Sequence, residues 1–331
     1  MKKIIKKKFP LYYLTWNVTC RCNLRCKHCY NEPFIEQNVL NELSTKEGMD
    51  MINRAMPLGL RAILFTGGEP LLRSDIPQLV EFAKEKKLLV FLATNGTLVN
   101  DNFIKEFKGL VDKISISLDA GLAKKHDEIR GVEGSFYKSL NAIKKLKKYF
   151  TISIAFTAHS ENLNELSLVA KIAKENGVSL TVKRYIPVGR GSKDLTLSQL
   201  DYKILVDRVN QLKSTQEISF RDPFPNSFGK RIDAYGGCLA GINSLSIDFN
   251  GNIYICTKLK LLLGNIKINS LYKIWNNSKI LNQLRNRELK GKCRDCDRIL
   301  SCGGCRAAAC AETGDFLAAD PLCFYRKTKV V

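Results

Sequence analysis

The first two thirds of this chain alternate short apolar runs with segments of helical periodicity, and this alternation restricts the possible folds most. β-branched and aromatic runs predict strands at residues 11–19, 61–66, 88–94, 113–118, 151–157 and 180–185. Helical patterns follow at residues 45–58, 75–87, 102–110, 135–149, 163–176 and 200–212. Six successive strand–helix units predict an α/β fold in which the helices cover a parallel sheet. Six units, rather than eight, favour a partial (β/α)6 barrel of TIM type that is open on one side.

The pattern changes after residue 215. Pro, Gly and Asn become frequent between residues 222 and 241, and two alternating runs at 244–249 and 252–257 flank Asn250-Gly251, a strong hairpin signal. A helix is predicted at residues 271–289, and a cysteine-rich tail follows. We therefore predict a barrel domain at residues 1–215, a linker at 216–236 and a small cysteine-rich α+β domain at 237–331.

Three closely spaced cysteines follow the first predicted strand. Cys22, Cys26 and Cys29 form a C-x3-C-x2-C pattern. A [4Fe–4S] cluster that only carries electrons uses four thiolates, so three local thiolates predict an iron with an open coordination position. A zinc knuckle and an ordinary ferredoxin site are the alternatives. The chain has 12 cysteines and no recognisable export signal, which indicates metal ligands in a reducing cytoplasm rather than disulfides.

Three further motifs lie at or just after predicted strand ends. They are Gly67-Gly68-Glu69-Pro70, Thr94-Asn95-Gly96 and Ser117-Leu118-Asp119. The active site of such a barrel lies at the carboxyl ends of its strands. We therefore expect these motifs and the cysteine triplet to converge on one mouth, although they are far apart in sequence.

The four motifs, in this order and spacing, resemble the signature of the radical S-adenosylmethionine (SAM) enzymes, including the aromatic Tyr30 after the third cysteine. The resemblance covers roughly residues 10–190. It implies that Cys22, Cys26 and Cys29 ligate three irons of a [4Fe–4S] cluster and that SAM binds the fourth. It also implies that one-electron reduction of bound SAM releases a 5′-deoxyadenosyl radical, which removes a hydrogen atom from the substrate.

The same resemblance implies a set of SAM contacts. The Gly67-Gly68 turn would bind the amino group of SAM, and Asn95 and Ser117 suit its ribose or carboxylate. Turn chemistry for Asn95 and Ser117, capping for Asp119 and loop bracing for Arg130 are the alternatives. The full set of predicted SAM contacts is Tyr30, Gly67, Gly68, Glu69, Asn95, Ser117, Asp119 and Arg130.

The cysteine-rich tail resembles the SPASM extension of radical SAM enzymes, which holds two auxiliary iron–sulfur clusters. One implied cluster uses Cys293, Cys296, Cys302 and Cys323. The other uses Cys238, Cys256 and Cys305, with Cys310 as a candidate fourth ligand; without Cys310 this cluster keeps an open iron. Only five residues separate Cys296 from Cys302, which disfavours a single zinc ribbon. The cofactor prediction is thus SAM and three [4Fe–4S] clusters, of which one auxiliary cluster could differ in nuclearity.

The charge of the chain predicts an anionic substrate or partner. Its formal net charge is +21, from 53 Lys and Arg against 32 Asp and Glu. Basic clusters lie at residues 2–8, around 144–148 and at Lys183, Arg184 and Arg190; the first two are typical of a solvated surface. Arg184, Tyr185 and Arg190 follow or end the sixth predicted strand and are predicted to face the substrate. No apolar run reaches the ~20 residues that span a bilayer, and no nucleic-acid-binding module is recognised.

The resemblance implies a radical SAM maturase that acts on a peptide or protein side chain, with the auxiliary clusters accepting an electron. The alternative is modification of tetrapyrrole side chains, of heme or heme d1 type, or of another cofactor precursor. A multi-cluster electron-transfer protein is a third possibility, but it leaves the six strand–helix units and the glycine motif without a purpose. Predicted partners are a low-potential electron donor such as ferredoxin or flavodoxin, and a separate leader-peptide-binding protein.

Overall fold

Ten strands form one sheet in this computed structural model, which describes residues 9–31, 41–225 and 235–325. The basic run at residues 2–8 lies outside the described residues. The sheet order is β10-β9-β8-β1-β2-β3-β4-β5-β6-β7. The strands are β1 (Tyr13–Asn17), β2 (Ala62–Thr66), β3 (Leu89–Thr94), β4 (Lys113–Ser117), β5 (Ile152–Ala158), β6 (Ser179–Arg184), β7 (Ile218–Phe220), β8 (Ser244–Ile247), β9 (Asn252–Cys256) and β10 (Leu259–Asn265).

Helices connect the strands and follow the hairpin. The α-helices are α1 (Thr45–Ala55), α2 (Ile76–Glu85), α3 (Asp101–Phe107), α4 (Ala123–Arg130), α5 (Ser135–Leu146), α6 (Leu166–Asn176), α7 (Gln199–Lys213), α8 (Leu271–Asn277), α9 (Lys279–Arg285) and α10 (Arg306–Thr313). Short 3₁₀ turns lie at Met56–Leu58, Pro70–Leu72, Leu163–Glu165, Lys193–Leu195 and Gly291–Cys293. The six predicted strands and their parallel pairing are confirmed, so the barrel is a partial (β/α)6 barrel.

Local sequence signals set several helix ends. Ser44 and Glu47 form a capping box at the start of α1, which satisfies free backbone N–H groups of the first turn. Gly177 ends α6 in the left-handed conformation, with φ of 64°. Sequence patterning missed α4, a short polar helix between the fourth strand and α5.

The two faces of the barrel strands have different side chains. On β4, Ile114 and Ile116 are fully buried against the helices, whereas Ser115 and Ser117 point to the barrel interior and line a cavity. Successive side chains on a strand point to opposite faces, so this alternation separates the apolar core from the polar cavity wall. The same two-residue period runs through β5 and β6 and decides which residues reach the site.

The C-terminal strands extend the barrel sheet rather than forming a separate one. Strand β8 pairs parallel to β1 and antiparallel to β9, which confirms the hairpin predicted around Asn250-Gly251. Strand β7 lies within the segment predicted as a linker and pairs with β6. The helix predicted at 271–289 is two helices, because Ser278 caps the start of α9. The domain boundary at 216–236 stays a prediction. Residues 226–234 lie outside the described residues, and the described strands on either side, β7 and β8, belong to the same sheet.

The sheet curls so that distant strands meet. Six strands lie between β9 and β6 in the sheet order. Nevertheless, the Lys258 ammonium, in the turn between β9 and β10, donates to the Arg184 carbonyl at the end of β6 over 3.3 Å. The turn between β9 and β10 therefore lies beside the end of β6. Within the described ranges, no helix has the length and apolarity needed to cross a membrane.

A buried ion-pair cluster fastens the tail to the barrel. The Arg184 guanidinium, 2% exposed, contacts Asp222 after β7 at 2.6 Å and Asp320 in the tail at 2.5 Å. Burial by itself raises the pKa of Asp320, but the Arg184 guanidinium beside it holds that pKa below its usual value. Arg184 was predicted to face the substrate, and the structure corrects this. Strand alternation places Arg184 on the face opposite Lys183, where its charge is neutralised by two carboxylates.

Replacing Arg184 with Met is expected to lower the free energy of unfolding by about 3–5 kcal/mol, because two buried carboxylates lose their cation. The matched control is Lys145→Met, which breaks a pair with the exposed Asp101 and is expected to leave the unfolding midpoint almost unchanged. Urea denaturation of anaerobically prepared proteins measures both. Equal midpoints for the two variants would contradict the structural role of Arg184.

Candidate active site

A cavity of about 1190 Å³, its open mouth included, lies at the carboxyl ends of the barrel strands. The sequence motifs converge there, as predicted from their positions at strand ends. Among the lining residues are Cys22, Cys26, Cys29, Tyr30, Gly67, Gly68, Asn95, Ser117, Arg130, Tyr185 and Arg190. Residues from β2, β3, β4, β5 and β6 all contribute to this wall.

The glycine turn after β2 holds the start of the cysteine loop. The Gly68 amide donates to the Thr19 carbonyl at 2.8 Å, and the Glu69 amide donates to the Arg21 carbonyl at 2.7 Å. A Cβ atom on Gly68 would lie 1.9 Å from the Arg21 oxygen. The turn therefore needs glycine because backbone passes close to backbone, and the same absence of a side chain leaves its edge open to the cavity.

Two other segments fix the rest of the cysteine loop. The amides of Arg25 and Lys27 donate to the last carbonyls of α4, Arg130 and Ile129, at 3.0 and 2.9 Å. The Arg190 amide, in the loop after β6, donates to the Cys29 carbonyl at 3.0 Å. The loop is thus anchored by backbone bonds from three parts of the barrel, which holds three cysteines around one cavity.

The three thiols suit a cationic cluster. Burial raises the pKa of Cys22 to about 11, and the neighbouring Cys26, Glu69 and Cys29 raise it further. Burial also raises the pKa of Cys29. Thiolates in this buried position need a positively charged partner. Bound iron would be that partner, and a thiol that coordinates a metal loses its proton. The Leu24 amide and the Arg130 guanidinium lie 3.5 and 3.6 Å from the sulfurs of Cys22 and Cys26, as donors to cluster ligands do.

A buried network supports Arg130. Its guanidinium lies 2.5 Å from the Asp119 carboxylate, which also lies 3.2 Å from the His28 imidazole and accepts the Thr157 amide at 2.8 Å. Burial would raise the pKa of Asp119, but Arg130 and then His28 lower it to about 2. Burial lowers the pKa of His28 to about 3. Arg130 therefore lies between the Asp119 carboxylate and the Cys26 sulfur, and its predicted contact with SAM stays a prediction.

Glu69 does not reach the cavity. Its side chain is 0% exposed, and its carboxylate accepts from the Thr94 hydroxyl and from the amides of Asn95 and Leu71, at 2.7, 2.7 and 3.2 Å. Burial raises the pKa of Glu69 to about 7, although these hydrogen bonds oppose the rise. The sequence suggested a SAM contact, and the structure shows a brace between the second and third motifs instead. A carboxylate that accepts three bonds from the protein has little capacity left for a ligand.

Asp119, also predicted as a SAM contact, is fully buried and does not line the cavity, because Arg130, His28 and the Thr157 amide use its carboxylate. The remaining predicted contacts line the cavity with part of their polar groups in use. The Asn95 amide donates to Asn23 in the cysteine loop at 2.9 Å and accepts from the Thr97 backbone at 2.8 Å. The Tyr30 hydroxyl donates to Asn17 at 3.0 Å. Gly67, Gly68 and Ser117 line the cavity, and a role for these groups in holding SAM stays a prediction.

The cationic residues that line the cavity differ from those that the sequence predicted to face the substrate. Tyr185 and Arg190 line the cavity, whereas Arg184 does not reach it. Lys183, on the inner face of β6, and Lys258, in the hairpin turn, line it as well. Alternation along β6 could have favoured Lys183, but only the curl of the sheet places Lys258, which has no local signal apart from its position two residues after Cys256.

Four tail cysteines line a second cavity. They are Cys293, Cys296, Cys302 and Cys323, the set that the sequence assigned to one auxiliary cluster. The Gly304 amide lies 3.4 Å from the Cys302 sulfur, a donor of the kind that tunes iron–sulfur clusters. Burial, then Asp320 and Cys323, raises the pKa of Cys302. The donor set of this cavity therefore fits a four-thiolate cluster.

A second group of tail cysteines lies next to the first cavity. Burial raises the pKa of Cys256 to about 12, and the neighbouring Cys305 and Cys238 raise it further. The Cys305 amide donates to Asp320, which pairs with Arg184, and Lys258, whose amide lies 3.3 Å from the Cys256 sulfur, donates to the Arg184 carbonyl. Cys310 lies five residues after Cys305 in α10, about 140° around the helix at ~100° per residue. Its sulfur points to the Gly314 carbonyl, at 3.8 Å. The structure thus brings three of the four suggested ligands together.

Single-ion geometry is not formed by these cysteines. In the parts of the chain that the structure describes, no group of three or more His, Cys, Asp or Glu is arranged to hold one metal ion.

Comparison with known proteins agrees with this geometry. Residues 16–191 match the family model of the Radical SAM superfamily, and residues 238–297 match that of SPASM, an iron-sulfur cluster-binding domain. These two domains bind SAM and iron–sulfur clusters. The second match ends at 297 and therefore covers only part of the cysteine-rich tail.

Relatives align over nearly the whole chain. The AdoMet-dependent heme synthase of Methanosarcina barkeri is 32% identical over 96% of this chain and 97% of that protein. The mycofactocin maturase MftC of Mycobacterium ulcerans is 30% identical over 89% of this chain and 83% of that protein. The crystal structure of Streptococcus suis SuiB bound to S-adenosylmethionine superposes with a TM-score of 0.77 and 19% identity, over 96% of this chain and 78% of that chain. This last likeness shows the fold.

Replacing Asp119 with Asn is expected to slow SAM cleavage by roughly 10- to 100-fold, because Arg130 loses the charge that orients it beside Cys26. Release of 5′-deoxyadenosine under dithionite measures the rate. The electron paramagnetic resonance spectrum of the reduced cluster is expected to shift as well, which general destabilisation would not cause. Glu128→Gln, on the outer side of α4 with a 49% exposed side chain, is the matched control. Wild-type behaviour of the Asp119 variant would contradict this role.

Replacing Cys305 with Ser is expected to remove about one cluster's iron, whereas Cys310→Ser is expected to retain full iron content. The reason is that contacts through Asp320, Arg184 and Lys258 connect Cys305 to Cys256, whereas the Cys310 sulfur contacts the Gly314 carbonyl. Iron and sulfide analysis after anaerobic reconstitution measures both. Iron loss in the Cys310 variant equal to that in the Cys305 variant would return Cys310 to the ligand set.

Proposed function

This chain belongs to the radical SAM superfamily and carries a SPASM domain, and from this premise we propose that it converts propionate side chains of an iron-bound tetrapyrrole to vinyl groups. One observation carries the substrate class. The cavity is lined by five cationic residues and, among the described residues, by no carboxylate: Arg25, Arg130, Lys183, Arg190 and Lys258. Such a wall favours a substrate with several carboxylates. The alignment with the heme synthase over nearly the full length of both chains supports the same choice.

The proposed conversion determines what the protein must supply. Each propionate becomes a vinyl group by losing one carbon dioxide, one hydrogen atom and one electron, so a hydrogen acceptor and an electron acceptor are both required. When bound at an open iron, SAM supplies the hydrogen-abstracting 5′-deoxyadenosyl radical after one-electron reduction. Cys22, Cys26 and Cys29 would hold that iron–sulfur cluster, with Arg130 as a donor to Cys26.

The tail would supply the electron acceptor. Cys238, Cys256 and Cys305 would hold a cluster near the cavity, a choice supported by Lys258, which lies two residues after Cys256 and lines the cavity wall. Cys293, Cys296, Cys302 and Cys323 would hold a further cluster, which brings the proposed total to three. The protein would therefore bind the substrate within reach of both the site of hydrogen abstraction and the electron-accepting cluster.

Peptide modification is the second candidate. It is the function that the sequence alone favoured, and the mycofactocin maturase, 30% identical, supports it. An acidic peptide would also suit the cationic wall. We place it second because the heme synthase aligns over a larger share of both chains. A low-potential electron donor, a separate leader-binding protein and a cytoplasmic location stay predictions.

The test uses anaerobically reconstituted protein with dithionite, SAM and an iron porphyrin that carries propionates. Three filled clusters correspond to about 12 irons per chain. We expect 5′-deoxyadenosine and, by mass spectrometry, porphyrin that has lost carbon dioxide and two hydrogens per converted side chain. Cys26→Ala is expected to abolish both products while keeping the tail iron. SAM cleavage that leaves the porphyrin intact but modifies an acidic peptide would overturn the proposal in favour of the second candidate, and iron without SAM cleavage would indicate an electron carrier.

A further inference from the structure

We propose that Lys183 and Lys258 form a carboxylate-binding pair that holds one propionate of the substrate. This inference rests on the proposed function and identifies residues that bind the substrate in the same cavity. The two lysines come from parts of the chain that are far apart in sequence, and both line the cavity wall.

Strand geometry fixes the position of Lys183. It is the penultimate residue of β6, and its neighbours Val182 and Arg184 are buried on the outer face, so its side chain points inward. It pairs in register with Thr157 of β5, another cavity residue. The Lys183 ammonium forms no hydrogen bond or ion pair with any residue that the structure describes. Arg130, in the same cavity, is instead neutralised by Asp119.

Lys258 approaches from the hairpin. Its ammonium donates to the Arg184 carbonyl at 3.3 Å, which places it beside the end of the strand that carries Lys183. A single carbonyl leaves an ammonium with further donor capacity, since it has three N–H groups. The Lys258 backbone amide lies 3.3 Å from the Cys256 sulfur. A carboxylate bound by this pair would therefore lie close to the cysteine group to which we assign electron acceptance.

The electrostatics of the pair favour an anionic ligand. Burial lowers the pKa of Lys183 to about 8, and repulsion from Lys258 and Arg221 adds to this, while Asp119 opposes it. Two like charges in a partly enclosed site repel each other, and a carboxylate between them removes that repulsion and supplies both with an acceptor. The other buried cationic clusters near this wall already contain carboxylates, Asp119 for Arg130 and Asp222 with Asp320 for Arg184.

The experiment compares two probes on the reconstituted protein without reductant, so that binding is measured without turnover. One probe is an iron porphyrin with four propionates, and the other is its tetramethyl ester, which has the same ring and no charge. Titration by the absorbance of the porphyrin gives both dissociation constants. Lys183→Met is expected to weaken binding of the acid by roughly 10- to 100-fold and to leave the ester unchanged. Lys258→Met is expected to do the same.

The matched control is Lys113→Met. Lys113 begins β4, at the opposite end of the barrel, and donates to Ser179. Its replacement is expected to change neither dissociation constant. Lys183→Arg, which keeps the charge, is expected to retain most of the affinity for the acid. Unchanged acid binding in both methionine variants, or equal loss for acid and ester, would overturn the proposal.

The outcomes also separate this inference from the proposed function. Tight acid binding that depends on Lys183 and Lys258, without any vinyl product under turnover, would support the lysine pair and contradict the proposed reaction. If the methionine variants bind the acid with wild-type affinity and still form vinyl product, the lysine pair is contradicted and the proposed reaction is supported. Wild-type protein that binds the acid no better than the ester would overturn the lysine pair, whatever its products.

Discussion

The alternation of side chains along six parallel strands is the constraint on which the rest of this structure depends. One face of each strand must pack against helices and the other faces the barrel interior, so a single sheet separates an apolar core from a polar cavity. Ile114 and Ile116 belong to the core, whereas Ser115 and Ser117 belong to the cavity wall. The motifs at the strand ends meet because all six strands point the same way.

The cysteine loop gains its shape from the barrel around it rather than from its own sequence. It accepts or donates backbone hydrogen bonds to the glycine turn after β2, to the end of α4 and to the loop after β6. This explains why Gly68 cannot carry a side chain and why Glu69 is buried as a brace. Buried charges nearby also have partners, since the Arg130 guanidinium pairs with Asp119 and lies beside the Cys26 sulfur.

The tail completes the barrel in two ways. Strands β8 to β10 extend the sheet beyond β1, and the turn between β9 and β10 reaches the end of β6 through Lys258. Arg184 then ties the barrel to Asp320 in the cysteine-rich tail. Because both connections lie beside the cavity, the tail supplies part of its wall as well as cysteines for clusters.

The sequence by itself located the six barrel strands and the order of the motifs. The family resemblance grouped Cys293, Cys296, Cys302 and Cys323, and these four line one cavity. These properties depend on local sequence or on the family resemblance, so they can be predicted without the tertiary structure. The sequence prediction missed β7, β10 and α4. Strand β7 has only three residues, and α4 has a weak apolar pattern.

Only the tertiary structure decided which polar residues face the cavity. Near a strand end, a shift of one residue reverses the face, so the predicted choice of Arg184 over Lys183 placed the cation on the wrong side of β6. Glu69 was assigned to a ligand because its partners, Thr94 and Asn95, lie some 25 residues away. Lys258 enters the site through the curl of a ten-stranded sheet, a property of the whole barrel that no local pattern contains. The sequence therefore indicates the chemistry of the cysteines, whereas long-range packing decides which charged residues line the cavity.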